Sequence, residues 1–354
     1  MTKKYNTWKI NLINLNEKSL LKLTKLINAK NFHFQQIILW IYKKNITNFF
    51  EMNNINKTIK NNFNKVCQIK TKKLDKEIIS SDNTIRWLIK LDKNNSIETI
   101  AIPNKKSHYT LCISSQIGCT LNCSFCYTGK QNFKRNLYTE EVINQVLQSK
   151  IRLESIFNKK KITNIVVMGM GEPLLNITNI ISAITIIAHK NTFNIHKNKI
   201  TISTAGIIPG IKIIESHKIP LALSLHSTND IDRSKLMPIN KKYPIKKILE
   251  RCEKYSKNNK LTIEYIMLKN INDTKKNAIE LTNLLLNIKC KICLIPFNNF
   301  PGSKYQTTSM SNIINFKNIL KQKGNIVSIR KKLGDTINAA CGQLKGIIKQ
   351  YEKK

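Results

Sequence analysis

Between His108 and Ile295 the chain alternates two kinds of apolar pattern. Short runs rich in β-branched residues, such as Ile165-Val-Val-Met168 and Ile200-Thr-Ile-Ser203, read as strands. Between them lie stretches whose apolar positions recur every three or four residues, which read as amphipathic helices. Strands are expected at 109–114, 164–168, 199–203, 221–225, 262–267 and 290–295, and helices at 140–154, 177–189, 210–217, 245–257 and 275–287. Six strands separated by helices imply parallel βαβ units. They are too few for an eightfold barrel, so the expected fold is α/β, a partial (β/α)6 barrel. Such barrels carry their chemistry at the C-terminal ends of the strands.

The N-terminal hundred residues differ. Leu20, Leu21, Leu23, Leu26 and Ile27, then Phe34, Ile37, Ile38, Ile41 and Tyr42, fall at helical spacing and predict a small helical bundle. Around 84–91 and 97–102 the pattern turns to short alternating strands. Pro103 and the polar residues after it mark a boundary. The chain is therefore expected to divide into an accessory α/β domain, 1–104, and a core domain, 105–354.

Composition changes this picture in two respects. No apolar run reaches the length of a membrane span, and the start, Met1-Thr-Lys-Lys-Tyr5, lacks the apolar core of a signal peptide. The nine cysteines follow no disulfide-framework pattern, so a cytoplasmic, reducing setting is expected, with no membrane partner. The net charge of +39 invites a nucleic-acid partner. The basic residues are mostly Lys, however, and Asn and Ile are also abundant. All three have A/T-rich codons, so a solvated Lys-rich surface explains the charge equally well.

The chemistry centres on Cys119-Thr-Leu-Asn-Cys123-Ser-Phe-Cys126, which follows the first barrel strand. Its three thiolates can fold onto one metal centre. A structural zinc loop would need a fourth ligand from elsewhere. Three thiolates on a four-iron cube would instead leave one iron open. Other candidates follow the later strands: Gly171 and Glu172 in Gly169-Met-Gly-Glu-Pro173, Ser203 in Ser203-Thr-Ala-Gly206, the run Ser224-Leu225-His226, and Asn298. Glycine lets backbone approach a ligand closely, and Glu172 could accept from an ammonium group. Read alone, Gly-Glu-Pro is an ordinary βα turn and His226 a packed histidine.

The spacing of Cys119, Cys123 and Cys126 resembles the signature of the radical S-adenosylmethionine (SAM) enzymes. With the motifs above, and with Ala339-Ala-Cys341-Gly-Gln-Leu344, Phe34-Gln-Gln36 and Ser80-Ser-Asp82, the chain resembles the RlmN-type adenosine-C2 RNA methyltransferases over nearly its whole length. The resemblance implies a 4Fe-4S cluster on Cys119, Cys123 and Cys126. It implies SAM held by Gly171, Glu172, Ser203, Ser224, Leu225, His226 and Asn298. It further implies Cys341 as methyl carrier, Glu98 as the base that removes the C2 proton, and Cys112 as the thiol that resolves the RNA adduct through a disulfide with Cys341. The implied partners are 23S rRNA, tRNA modified 3' of its anticodon, and a flavodoxin-type electron donor, with the enzyme a monomer.

Read without that resemblance, Cys112 and Cys341 would be packed structural cysteines. Cys67, Cys252, Cys290 and Cys293 are read as structural, with Cys290-Lys-Ile-Cys293 on the last barrel strand. The alternatives are a sister enzyme methylating carbon 8, a different radical SAM enzyme such as a methylthiotransferase, and a non-enzymatic basic RNA-binding protein with a structural metal loop. Tyr127, Asn132 and Leu333-Gly-Asp-Thr336 depart from the usual family pattern without removing a catalytic group.

Overall fold

The computed structural model describes residues 9–14, 19, 22–23, 27–104, 108–157, 160–337 and 342–344. Its frame is a ten-stranded sheet. Three N-terminal strands, β1 (Leu74–Ile79), β2 (Ile85–Lys90) and β3 (Ser96–Pro103), form an antiparallel meander. Strand β4 (Tyr109–Cys112) pairs antiparallel with β3, placing Ile100 opposite Cys112. From β4 onward every neighbour is parallel: β5 (Ile162–Val167), β6 (Ile200–Thr204), β7 (Leu221–Ser224), β8 (Leu261–Met267), β9 (Lys291–Pro296) and β10 (Ile326–Ile329).

Helical connections join these parallel strands, as parallel pairing requires. They are α3 (Thr139–Ile156), α4 (Ile177–Ala188), α5 (Ile208–Ser216), α6 (Asp230–Leu236) with α7 (Ile245–Ser256), α8 (Lys275–Leu284) and α9 (Met310–Gln322). Six βα units closed by a seventh strand make the partial barrel. Each helix turns one stripe inward: on α4, Ile180, Ala183, Ile184 and Ile187 are buried. Buried side chains of that size contribute roughly 1.5–3 kcal/mol each. Together they anchor the helices to the sheet.

Before the sheet, α1 (Asn31–Tyr42) and α2 (Lys57–Val66) pack through Phe34 and Phe63, whose ring centroids lie 5.0 Å apart. Asn56 caps α2 by accepting from the Thr58 N–H at 2.8 Å. The expected helix through Leu20, Leu21 and Leu26 falls on positions outside the described residues, although Leu23 and Ile27 are buried.

The pattern reading missed α2, β1, α6, α9 and β10. Strand β10 is only four residues long, with Ile326 and Ser328 exposed at the sheet edge, so it has no apolar run to announce it. Consequently Cys293 lies on the sixth parallel strand, and β10 follows it. The N-terminal strands belong to the same sheet as the barrel, through the Pro103–Tyr109 pairing. Among the described residues no helix is long and apolar enough to cross a membrane.

Candidate active site

The cysteine loop leaves the C-terminal end of β4 and is held by backbone constraints on both flanks. Gly118 has φ +72°, and a Cβ there would sit 2.2 Å from the Asn132 carbonyl oxygen, so only glycine fits. The Cys126 N–H donates to the Cys123 carbonyl, the Ser124 N–H to Leu236 O at 2.9 Å, and the Tyr127 N–H to Gly342 O at 2.7 Å. The Tyr127 ring packs edge-on against Phe300, with centroids 5.4 Å apart.

Cys119, Cys123 and Cys126 line one cleft of about 890 Å³. Burial pushes the Cys119 thiol up to about 12, with Cys126 and Glu172 adding to the shift. Burial and the neighbouring cysteines push Cys123 well above its ordinary range. Cys119 and Cys123, half-buried and held above their ordinary range, become thiolates only when a cation compensates them. Among the described residues no group of three His, Cys, Asp or Glu side chains converges tightly enough for a single ion. A cube spreads its ligands wider than a single ion does, and these thiols share a cavity wall rather than a point.

The same cleft carries the residues picked out after β5, β6 and β7. Gly171, Glu172, Ser203, Ser224 and His226 all line this cleft. Gly171 has φ +96°, and a Cβ would meet the Gln116 side chain at 2.4 Å. That closeness lets Gln116 Oε1 accept from the Glu172 N–H at 2.9 Å. Glu172 is 3% exposed and accepts from the N–H groups of Leu174 (3.0 Å) and Ala205 (2.9 Å). Burial pushes its carboxyl up to about 7, although the Ala205, Thr204 and Leu174 donors oppose the shift. An arriving ammonium would ionise it.

His226 has φ +62° and accepts from the Ile266 N–H through Nδ1 at 3.1 Å. Burial first, then Arg233, pulls it down to about 3, so it stays neutral and can contact a ligand without delivering a proton. Leu225 is buried away from the cleft and takes part through its backbone, accepting from Arg233 Nε at 2.9 Å.

Three further residues shape the cleft and went unnoticed in the sequence. Arg233 is fully buried and donates to Leu225 O, Ala205 O (2.7 Å), Ser224 O (3.0 Å) and Asn240 Oδ1 (2.7 Å), tying the ends of β6 and β7 together. Glu264 accepts from Ser203 Oγ at 2.9 Å and from Arg330 Nη2 at 2.5 Å. A carboxylate inside the apolar run Ile263-Glu-Tyr-Ile-Met267 was the legible signal for Glu264. Arg330 follows the unrecognised strand β10, and Arg233 lies on a helix with no apolar period.

A second cavity of about 1020 Å³ adjoins the first, sharing Met168, Ile295 and Arg330 with it. Cys112 and Asn298 line it, with Arg330, Lys331 and Lys332 at its edge. Asn298 is 8% exposed, yet its Oδ1 has no hydrogen-bond partner. Such an orphaned acceptor marks a place where a ligand donor belongs. Glu98 lies on the same face of the sheet as Cys112 and is fully buried, both of its oxygens held by Arg86 at 2.6 and 2.8 Å. Cys341 lies outside the described residues. Its neighbour Gly342 lines the cluster cleft.

The chain is 49% identical over 346 residues to the dual-specificity RNA methyltransferase RlmN of Buchnera aphidicola subsp. Cinara cedri, covering 95% of this chain and 96% of that one. It is 40% identical to that of Marinomonas sp. over 350 residues, covering 96% and 93%. This chain belongs to the RlmN family. The N-terminal domain model of the ribosomal RNA large subunit methyltransferases matches residues 10–69, and the radical SAM superfamily model matches 113–282. A radical SAM methyltransferase from Sphaerobacter thermophilus superposes with a TM-score of 0.90 at 31% identity, covering 96% of this chain and all of that one.

As an RlmN-family member the protein is a SAM-dependent RNA methyltransferase of radical SAM type, using a 4Fe-4S cluster and SAM. The site suits both groups. Three thiols line the cleft together with a carboxyl poised to ionise. The orphaned amide oxygen lies just beyond.

Proposed function

We propose that this enzyme methylates carbon 2 of an adenosine, in 23S rRNA and in tRNA just 3' of the anticodon, with Cys341 as the methyl carrier. The observation that supports this most is the pair of adjoining cavities. One holds the three cluster cysteines and Gly342, the neighbour of Cys341, and the other holds Cys112. A target base in the second cavity would lie between the carrier segment and the resolving thiol.

Cys119, Cys123 and Cys126 would hold the cluster, and Gly171, Glu172, Ser203, Ser224, Leu225, His226 and Asn298 the SAM. When bound, these groups supply the methyl and an adenosyl radical that abstracts hydrogen. Carbon 2 of adenine is electron-poor and does not attack a methyl sulfonium, which is why a thiol carrier is needed. Cys341 carries the methyl as a thioether, and that carbon bonds to C2. Glu98 takes the C2 proton. The Cys112 thiolate then attacks the Cys341 sulfur, and the bond from that sulfur to the methylene carbon breaks. The freed electron pair takes a proton to complete the methyl group on C2, and the disulfide left behind is reduced by a thioredoxin-like dithiol. A reducing cytoplasm, a flavodoxin-type electron donor and a monomeric enzyme complete the reading.

The deciding experiment is mass mapping of RNA methylated by the purified enzyme, with 2-methyladenosine expected in both RNA classes. A methyl group on carbon 8 would overturn the assignment. In a parallel assay Cys112→Ala should accumulate a covalent protein–RNA adduct, while Cys341→Ala forms none. Adduct in the second variant would remove Cys341 as carrier.

A further inference from the structure

We infer that Arg86, with Ser80 and Asp82 from the same hairpin, is a positioning residue that holds the base Glu98 and the approach to Cys341 in one fixed relation. The inference rests on the roles proposed above for those two residues. Arg86 is 3% exposed and spends its planar fork in two directions. Nε and Nη2 grip the Glu98 carboxylate, while Nη1 donates to the Ile337 carbonyl at 2.7 Å. Ile337 stands four residues before Cys341.

The turn preceding Arg86 adds two more bonds to the same segment. Asp82 Oδ2 accepts from the Gly334 N–H at 2.7 Å, and the Ser80 and Thr336 hydroxyls lie 2.8 Å apart. On the far side of Cys341, Gly342 O accepts from the Tyr127 N–H and Leu344 O from Thr128 Oγ1 at 2.9 Å. In sequence, Cys341 therefore follows Ile337, which is tied to the base through Arg86, and precedes Gly342, which is tied to the cluster loop. Only a fork with several fixed donors can satisfy a carboxylate and a carbonyl in different directions at once; an ammonium is a point charge. The carrier has to meet both the methyl donor and the base, so fixed flanks set where it starts from. The hairpin fixes the flank nearest the base.

The test uses full-length, cluster-loaded enzyme with tRNA. It reads the rate at which the Cys341 peptide gains a methyl and the lifetime of the covalent RNA adduct. Arg86→Gln should lengthen the adduct lifetime at least about tenfold, since a misplaced base forfeits much of its contribution. Arg86→Lys should restore part of that loss. Ser80→Ala with Asp82→Ala should slow Cys341 methylation several-fold and leave the adduct lifetime near its wild-type value.

Loss of thermal stability in Arg86→Gln with unchanged adduct lifetime and methylation per folded molecule would overturn the inference. Should Arg86→Gln fail to fold, wild-type values in both Arg86→Lys and the double variant would do the same. Failure of the underlying reading looks different: Glu98→Gln would then resolve the adduct at the wild-type rate, whatever Arg86 does.

Discussion

Replacing Arg233 with lysine should damage the protein far more than a like-charge change suggests. The guanidinium reaches four acceptors, three of them backbone carbonyls at the ends of β6 and β7. A lysine ammonium at the same depth can satisfy one or two. At least two of these acceptors would be left without that donor, at about 1–3 kcal/mol each. Adding the imperfect solvation of a buried ammonium, the expected destabilisation is about 3–5 kcal/mol. The damage should also reach the cofactor. Ala205 is held through its carbonyl by Arg233 and through its N–H by Glu172, so freeing one end loosens the other. Urea unfolding of both proteins, with SAM titrated into the cluster-loaded forms, should give a lower midpoint for Arg233→Lys and roughly tenfold weaker SAM binding. If the midpoints agree within the equivalent of about 0.5 kcal/mol, the carbonyls find other donors and Arg233 is not the tie between these strands.

Glu172 should make the SAM-free protein less stable as pH rises. Its folded value of about 7 lies above the ordinary 4.5, so its contribution is full below about pH 4.5 and is lost as pH rises to 7. The full change is about 3 kcal/mol, and a urea-midpoint profile that is no flatter in Glu172→Gln would refute it. Binding of RNA should weaken steeply with salt. Four phosphate contacts predict about a 50-fold loss between roughly 50 and 200 mM, and Lys331→Ala with Lys332→Ala should lower the log–log slope by about two. A flat response by filter binding would exclude backbone contacts. Gly171→Ala should unfold more readily and lose SAM affinity. Its φ and the Gln116 side chain oppose any Cβ, at about 1–3 kcal/mol, and unchanged binding would show that Gln116 can move aside.

Much of the site could be read from local signals, because its chemistry is carried by short stretches at strand ends. Cys119, Cys123 and Cys126 lie on one loop. Gly171 with Glu172, Ser203 and Ser224 each terminate a strand whose apolar run is visible in the chain. Parallel pairing then obliges those ends to meet on one rim, and they do. The six recognised parallel strands lie where β-branched runs predicted them, because buried strands need such runs on both faces.

Long-range partnerships were decided only by the tertiary structure. Nothing near Arg86 announces that its guanidinium joins Glu98 to Ile337, which lies 251 positions away in the chain. Nor does α6 disclose that Arg233 caps the carbonyls of two strands. Arg330 became part of both cavities only because the exposed four-residue β10 adds itself to the sheet beside β9. Local pattern specifies which residues can form an element and where it ends. Which buried charge answers which buried carbonyl depends on packing between elements far apart in the chain, and that is settled only when the sheet closes around them.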